Sequence, residues 1–336
     1  MPSPRNDDEA NLTPSDRLSR GIQFLQQGVF DQAVEDFAAV VEAEPKHAQG
    51  WYCKGCAHKE LGQVEEAIRS YEESIKFAGE LAALPLYNLG NLYQGLGRLQ
   101  DAAQSFLRAT QVDPSMTDAW INLGRVLDDS GMHSAAVECY DVALQLAPDD
   151  AMAWSNRGNS LRSLDQHENA LASYRKAAEL EPQGLAARVG IGACLVRCGD
   201  PEQGIASLRE LCEETGMPLV VFELATGLAF AGQHAEALEQ FDDLAKHNFV
   251  TPELWNNRGE CLAKLGEIEA SLRSFDQALE LDPKYGPALF GKARVLVAAD
   301  RIDEARPIAR QYQALASEAE RAKPAVAVLF DLCGLK

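Results

Sequence analysis

Along most of this chain apolar residues return every three or four positions, the spacing of a helix that buries one face. The stretch from Ala119 to Pro148 shows the pattern: Trp120, Leu123 and Leu127 share one face, and Ala136, Tyr140 and Ala143 share another. Between them Gly131 breaks the run and suits the left-handed backbone just past a helix end. A second helix is predicted from about His133, and Pro148 stops it. Gly124 and Ala136 carry almost no side chain, so the two helices can approach closely there. No two-residue alternation competes with this reading, and the chain is predicted to be all-α.

The same helix pair is predicted nine times, at a step of about 34 residues, with starts near residues 14, 48, 83, 117, 151, 185, 218, 252 and 286. The eighth place of most repeats is glycine: Gly21, Gly55, Gly90, Gly124, Gly158, Gly192 and Gly259. Seven residues later comes a second glycine, at Gly28, Gly62, Gly97, Gly131, Gly199, Gly232 and Gly266. Small residues follow, from Ala33 and Ala67 through Gly204 to Ser271 and Ala305. Four places beyond stands a bulky one: Phe37, Tyr71, Phe106, Tyr140, Tyr174, Leu208, Phe241 or Phe275. Pro45, Pro114, Pro148, Pro182 and Pro283 close repeats. Because each repeat touches only its neighbours, length does not divide such a chain into ordinary domains. An array of this kind is a surface for other molecules to lie on.

The segment carrying Trp120, Leu123, Gly124, Leu127, Ala136, Tyr140, Ala143 and Pro148 resembles a tetratricopeptide repeat, a family with this period and this helix–turn–helix pattern. The resemblance covers residues 14–310. It implies an α-solenoid, a right-handed superhelix of antiparallel helix pairs closed by a C-terminal capping helix. The family serves many unrelated processes, so membership alone assigns no function. Residues 1–13 are polar, with an acidic run at Asp7 to Glu9, and are expected to be disordered. Residues 14–310 form the array, and residues 311–336 the rest of the capping helix and a tail. Asp303 to Lys323 is predicted as one long charged helix, with Pro307 tolerated near its start. The tail from Pro324 to Leu335 is too apolar for a solvated end, so Val328, Leu329, Phe330 and Leu332 are expected to dock on the last repeat.

Charge narrows the partners. With 51 acidic against 31 basic residues the net charge is −20, a field that repels phosphate backbones and anionic lipid. Nucleic acid and membranes are therefore not expected as ligands. The carboxylates keep exposed helix faces soluble, or steer in a basic partner; composition leaves both open. Leu219 to Phe230, the most apolar stretch, is interrupted by Glu223 and too short to span a bilayer. No apolar h-region opens the chain, which argues against a secretory signal. A soluble, cytoplasmic protein is expected.

Cys53, Cys56 and His58 have C-x-x-C-x-H spacing, which raises a metal or redox sensor as one alternative function. The repeat register places all three on the first helix of repeat two, with His58 at a buried aromatic place. The second cysteine pair that makes such motifs specific is missing nearby. Cys194 and Cys261 hold equivalent helix-packing places. No metal site, cofactor or disulfide framework is expected. His133, His167 and His234 share one register, the opening of the second helix, and are spread along the array instead of converging as acid–base catalysis needs. No nucleophile elbow, phosphate loop or nucleotide fingerprint is present. The expectation is that this is not an enzyme.

In proteins of this family the first helices line a concave groove, and the candidate site lies there. Asn88, Asn122 and Asn156 hold the sixth place of successive repeats, and Asn257 holds it again in repeat eight. An asparagine amide offers a donor and an acceptor, matching the N–H and C=O of an extended peptide. First helices about 10 Å apart would grip a strand rising about 3.3 Å per residue at every third position or so. This resembles the asparagine ladder of O-linked N-acetylglucosamine transferases, with the difference that the array here occupies nearly all of the 336 residues and no transferase domain is expected among them. Alternatively, asparagine is the family's common residue here and bonds the adjacent repeat. Around the ladder stand Tyr52, Tyr87, Asn91, Arg125, Asn159 and Arg162, a polar floor that would select an extended segment, with a carboxylate facing Arg125 or Arg162. Asp128 and Asp129 partly offset the arginines. The carboxylate clamp of heat-shock co-chaperones does not match, since the fifth places are Tyr87, Ile121 and Ser155 and not lysine.

Repeats six and seven depart from the pattern. Gly190 and Glu223 replace the ladder asparagine, and Val189, Val196, Phe222 and Phe230 make the corresponding groove places apolar. Either the repeats pack more tightly, or these residues form a second subsite. Leu18, Ile22 and Leu25 are apolar where groove places are usually polar, an exposed stripe that would serve self-association unless covered. The functional expectation is a protein–protein scaffold or adaptor that binds an extended peptide segment in its groove, through Asn88, Asn122, Asn156, Tyr87, Asn91, Arg125, Asn159 and Arg162. The alternatives are a self-associating structural subunit and the cysteine sensor.

Overall fold

A computed structural model describes residues 12–335. The expected disorder of residues 1–13 thus lies, apart from Leu12 and Thr13, outside the described residues. All secondary structure among the described residues is helical, and every predicted repeat start is the first residue of a helix: Pro14, Ala48, Ala83, Thr117, Ala151, Leu185, Pro218, Pro252 and Gly286. The chain forms two compact units, Met1–Gln166 and His167–Lys336.

The N-terminal unit contains α1 (Pro14–Gln26), α2 (Phe30–Ala43), α3 (Ala48–Glu60), α4 (Val64–Ala78), a 3-10 turn (Gly79–Leu81), α5 (Ala83–Gly95), α6 (Leu99–Val112), α7 (Thr117–Asp129), α8 (His133–Leu146) and α9 (Ala151–Ser163). Each helix packs on the next, and first helices also touch across repeats, α1 on α3 and α7 on α9. The glycine at place eight exists to admit the ring at place 24. A Cβ on Gly124 would lie 2.7 Å from the Tyr140 ring, and one on Gly55 2.6 Å from the Tyr71 ring. Both tyrosines are fully buried, so the glycine–aromatic pair, sixteen residues apart in sequence, is the unit of intra-repeat packing.

Two further devices tie one repeat to the next. The indole nitrogens of Trp51, Trp120 and Trp154 donate to the carbonyls of Pro45, Pro114 and Pro148 at 2.8, 3.0 and 2.9 Å. The terminating proline thereby anchors the following helix. Arg157 Nε donates to Asp141 at 2.6 Å, and in the C-terminal unit Arg258 pairs with Asp242 at 2.7 Å and Lys292 with Asp276. At the start of the chain Asp36, 1% exposed, accepts from Arg20 at 2.8 and 2.6 Å and from Arg17 at 3.4 Å. Leu18, Ile22 and Leu25 are half-buried against Ala33, Phe37, Cys53 and Ala57. The expected exposed stripe is therefore covered by the second helix of its own repeat and the first of the next.

The C-terminal unit contains α10 (His167–Leu180), α11 (Leu185–Arg197), α12 (Pro201–Thr215), α13 (Pro218–Phe230), α14 (His234–Lys246), α15 (Pro252–Lys264), α16 (Ile268–Leu281), α17 (Gly286–Ala298), α18 (Ile302–Leu315), α19 (Glu318–Arg321) and α20 (Pro324–Leu332). Val189 and Val196 are buried with Leu208, Leu224 and Phe241, and Phe222 packs its ring 6.0 Å from Phe241 and 5.7 Å from Phe249. Tighter packing thus accounts for most of the apolar departures in repeats six and seven. Phe230 alone of the four stays largely exposed, 56%, beneath the Arg197 guanidinium.

The charged terminal run is two helices instead of one. Ala316 and Ser317 are extended, and Ser317 with Glu320 forms a capping box that starts α19. The tail docks as expected but through a different face: Val326, Leu329, Phe330 and Cys333 are buried, while Val328 and Leu332 are exposed. A helix turns only one stripe inward. At the inter-helix turn, where seven other repeats place left-handed glycines, repeats five and nine have Asp165 and Asp300 with φ of 58° and 61°. An L side chain is strained there, so Asp300→Gly is expected to stabilise the unit by about 0.5–1 kcal/mol. A higher thermal midpoint would show it; an unchanged or lower one would contradict it.

Candidate peptide-binding site

The ladder positions fall on α5, α7 and α9, held side by side by the packing of the N-terminal unit, but their amides are not equivalent. Asn88 Nδ2 donates to the Tyr52 hydroxyl of the preceding repeat at 3.2 Å. Asn122 Nδ2 donates to the Tyr87 hydroxyl at 3.2 Å and to Asn91 Oδ1 at 3.1 Å, and Arg125 reaches Asn122 Oδ1 at 3.4 Å. In the C-terminal unit Asn257 Nδ2 faces Thr226 Oγ1 at 3.5 Å. At these places the amide nitrogen bonds the adjacent repeat, the second of the two roles the sequence allowed. Tyr52 and Tyr87 are thus parts of the inter-repeat seam, their rings set 6.0 Å from Tyr71 and 5.8 Å from Phe106.

Asn156 differs for a reason that lies one repeat back. The preceding fifth place is Ile121, buried and without a hydroxyl, so no tyrosine meets the amide. Among the described residues the Asn156 side chain has no hydrogen-bond partner within the chain. It lines a cavity of about 260 Å³ together with Arg125, Asp128, His133, Asn159 and Ser160. Asn159 is exposed and Arg162 half-buried on the same helix. The structure therefore brings Asn122, Arg125, Asn156 and Asn159 to one stretch of α7 and α9, with Tyr87, Asn88 and Asn91 alongside on α5.

Asp128 organises the cavity. It accepts from His133 Nδ1 at 3.0 Å, from the Tyr140 hydroxyl at 3.2 Å and from Ser160 Oγ at 2.7 Å, joining α7, α8 and α9. Burial, then the Asp128 charge, pushes the Tyr140 phenol well above its ordinary range, so it stays a donor. The Ser160 hydroxyl donates to Asp128 and not to His133. The group fixes the wall of the cavity. This hub was missed in the sequence, where Asp128 read only as a charge offsetting Arg125.

In the cysteine motif Cys53 is buried and Cys56 half-buried. Burial, then neighbouring Cys56, raises the Cys53 thiol to about 12. Cys56 Sγ accepts from the Tyr71 hydroxyl at 3.5 Å, and His58 is buried against Gln63 at 2.6 Å. The thiolate is the form that binds metal or reacts, and at pH 8 a thiol titrating near 12 is almost wholly protonated. Native chain treated with iodoacetamide at that pH is expected to leave Cys53 unmodified until unfolded; rapid native alkylation would restore the sensor reading. Cys194 and Cys261 are fully buried in the helix-packing places expected of them.

Sequence models of the tetratricopeptide repeat match residues 18–82, 87–151, 151–183, 252–285 and 286–311. The matches cover more than half of the chain, which belongs to the tetratricopeptide repeat family. Among curated relatives it is 29% identical over 111 residues to the probable UDP-N-acetylglucosamine–peptide N-acetylglucosaminyltransferase SPINDLY of Hordeum vulgare, covering 31% of this chain and 12% of that protein. It is 28% identical over 108 residues to protein bimA of Emericella nidulans, covering 32% and 13%. The chain thus spans about an eighth of the length of these relatives. Yeast Tom70 shares the fold, with a TM-score of 0.50 at 13% identity over 97% of this chain and 96% of that one. Membership carries the general role of a protein–protein interaction scaffold. No helix among the described residues is long and apolar enough to cross a membrane.

Proposed function

We propose that this chain is an adaptor whose N-terminal unit binds an extended peptide segment of a partner protein, gripped at Asn156. The observation that carries the reading is the unpartnered Asn156 amide beside the cavity of Arg125, Asp128 and Asn159. A half-buried amide that bonds nothing in its own chain has both a donor and an acceptor to give a peptide bond. Asn88 and Asn122 contribute differently: their nitrogens are occupied, and the Asn88 oxygen is what remains to accept a ligand N–H. Tyr87, Asn91, Arg125, Asn159 and Arg162 border the path and select sequence. The barley relative's name describes an enzyme that acts on peptides, which supports a peptide as the ligand class.

Affinity capture from native lysate, read by mass spectrometry and followed by binding of the recovered partner's peptides, tests this with single variants. Asn156→Ala is expected to weaken binding about tenfold, the loss of one or two hydrogen bonds. Asn88→Ala, which breaks the bond to Tyr52 and removes one acceptor for the ligand, should weaken binding less than Asn156→Ala and cost about 1 kcal/mol of stability. Equal binding by wild type and Asn156→Ala would sink the reading.

A further inference from the structure

The pattern of the array slips once in the N-terminal unit, and a second cavity opens at that place. Gly55 and Gly90 are one residue further apart than the period requires, and no proline closes repeat two. The extra length is absorbed by the 3-10 turn, which Gly79 enters at φ +54°. The turn leaves Leu81 80% exposed and Leu84 53% exposed. Both line a cavity of about 340 Å³ with Ala48, Tyr52, Ala78 and Pro85. Its surface is mainly apolar, unlike the polar cavity at Asn156. Pockets of this make-up, apolar walls with a few polar groups, here Gln49, Tyr52 and Ser74, take up apolar parts of ligands.

Tyr52 decides what occupies it. One side of this residue lines the cavity, and its hydroxyl accepts from Asn88 at the head of the ladder. Burial, then Cys56, raises its phenol to about 12, so the hydroxyl also remains a donor. From there a continuous run of polar groups, Asn88, Tyr87, Asn91, Asn122 and Arg125, leads to Asn156. We infer that the apolar cavity receives one bulky apolar side chain of the same extended segment that Asn156 holds, so that the two cavities anchor its two ends. This rests on the proposed peptide-binding function. First helices about 10 Å apart and a strand rising about 3.3 Å per residue separate the anchor from the residue at Asn156 by roughly six to nine positions.

The test uses a phage-displayed random peptide library, panned on the full chain, with selected peptides resynthesised. Wild type is expected to enrich peptides with a leucine, methionine, phenylalanine or tryptophan at one fixed distance from a polar position. Leu81→Asp and, separately, Leu84→Asp, both at exposed positions and checked for unchanged helicity, should each weaken these peptides about tenfold or more. Asn156→Ala should weaken the same peptides. Truncating the peptide's apolar residue to alanine should cost about as much on wild type and almost nothing on Leu81→Asp, the coupling expected of groups in contact. Peptides that need Asn156 but ignore both leucines would overturn this inference and leave the binding function standing. Peptides that need the leucines but ignore Asn156 would overturn the two-anchor geometry. If no selected peptide depends on Asn156, the proposed function falls with it.

Discussion

Gly204→Ala is expected to destabilise the C-terminal unit by about 3 kcal/mol, an overpacking cost at the upper end of its usual range, although alanine is the ordinary residue at this place in most repeats. A Cβ there would sit 2.6 Å from the Gly192 carbonyl oxygen and 2.7 Å from the Val196 backbone nitrogen. Neither is the end of a flexible side chain, so relief requires α11 and α12 to move apart. In repeat eight the same place holds Ser271, whose hydroxyl donates to the Gly259 carbonyl at 2.7 Å, which shows how near the two backbones normally come. In repeat six they come nearer still. The ring found at the bulky place elsewhere is replaced by Leu208, fully buried against Gly192, and the smaller side chain lets the helices close up. Adding Val196→Ala should recover only part of the loss, because it removes the contact at 2.7 Å to a methyl group but not the backbone ones. Thermal or urea unfolding of the single and double variants measures this. A loss below about 0.5 kcal/mol, the level of ordinary surface changes, would mean that the pair relaxes and the close approach has no structural weight.

That pair also shows why the fold was legible and some of its detail was not. Repeat starts could be read because the determinants act within one repeat: a glycine, a left-handed turn and a ring at fixed places. Gly124 facing Tyr140 is a relation between residues close in sequence, and it recurs. Gly204 read simply as a small residue, since its necessity depends on Leu208 being smaller than a ring. The terminal helices failed for a similar reason. Ser317 and Glu320 spell a capping box, visible in the sequence but submerged in a charged run. In the tail, spacing by helical turns would have grouped Val326, Leu329, Phe330 and Cys333 on the inward face; reading a block of apolar residues did not. The ladder was legible as a row of asparagines, yet which amide is open depends on the fifth and ninth places of the repeat before. Tyr52 and Tyr87 occupy Asn88 and Asn122, and Ile121 cannot occupy Asn156. Comparing the fifth and ninth places of each preceding repeat would have singled out Asn156, since Thr226 at the ninth place meets Asn257 where Phe222 at the fifth cannot, whereas Ile121 and Arg125 precede Asn156.

Asp128→Ala is the change expected to couple stability and binding most strongly. The carboxylate takes hydrogen bonds from three elements, and its removal strands the Tyr140 hydroxyl, on a ring with no solvent exposure, while the Ser160 hydroxyl is left with only the Asn156 carbonyl at 3.1 Å. Unsatisfied buried donors cost about 1–3 kcal/mol each, so a loss of about 3 kcal/mol in the N-terminal unit is expected. His133 would lose its acceptor as well, and the wall of the cavity beside Asn156 would no longer be fixed. Asp128→Asn isolates the charge from the geometry. Its carbonyl oxygen can still accept from Tyr140 and Ser160, while its amide nitrogen must face His133, whose Nδ1 can accept by changing tautomer. That variant should lose only about 1 kcal/mol, the net value of a neutral hydrogen bond, and should keep most of the affinity for any peptide held at Asn156. If Asp128→Asn were as unstable as the alanine variant, charge would be what joins α7, α8 and α9. If it were stable but bound no peptide, Asp128 would be contacting the ligand itself. Unfolding and peptide-binding measurements on the two variants separate these outcomes, and retained stability in Asp128→Ala would show that the three donors find partners elsewhere.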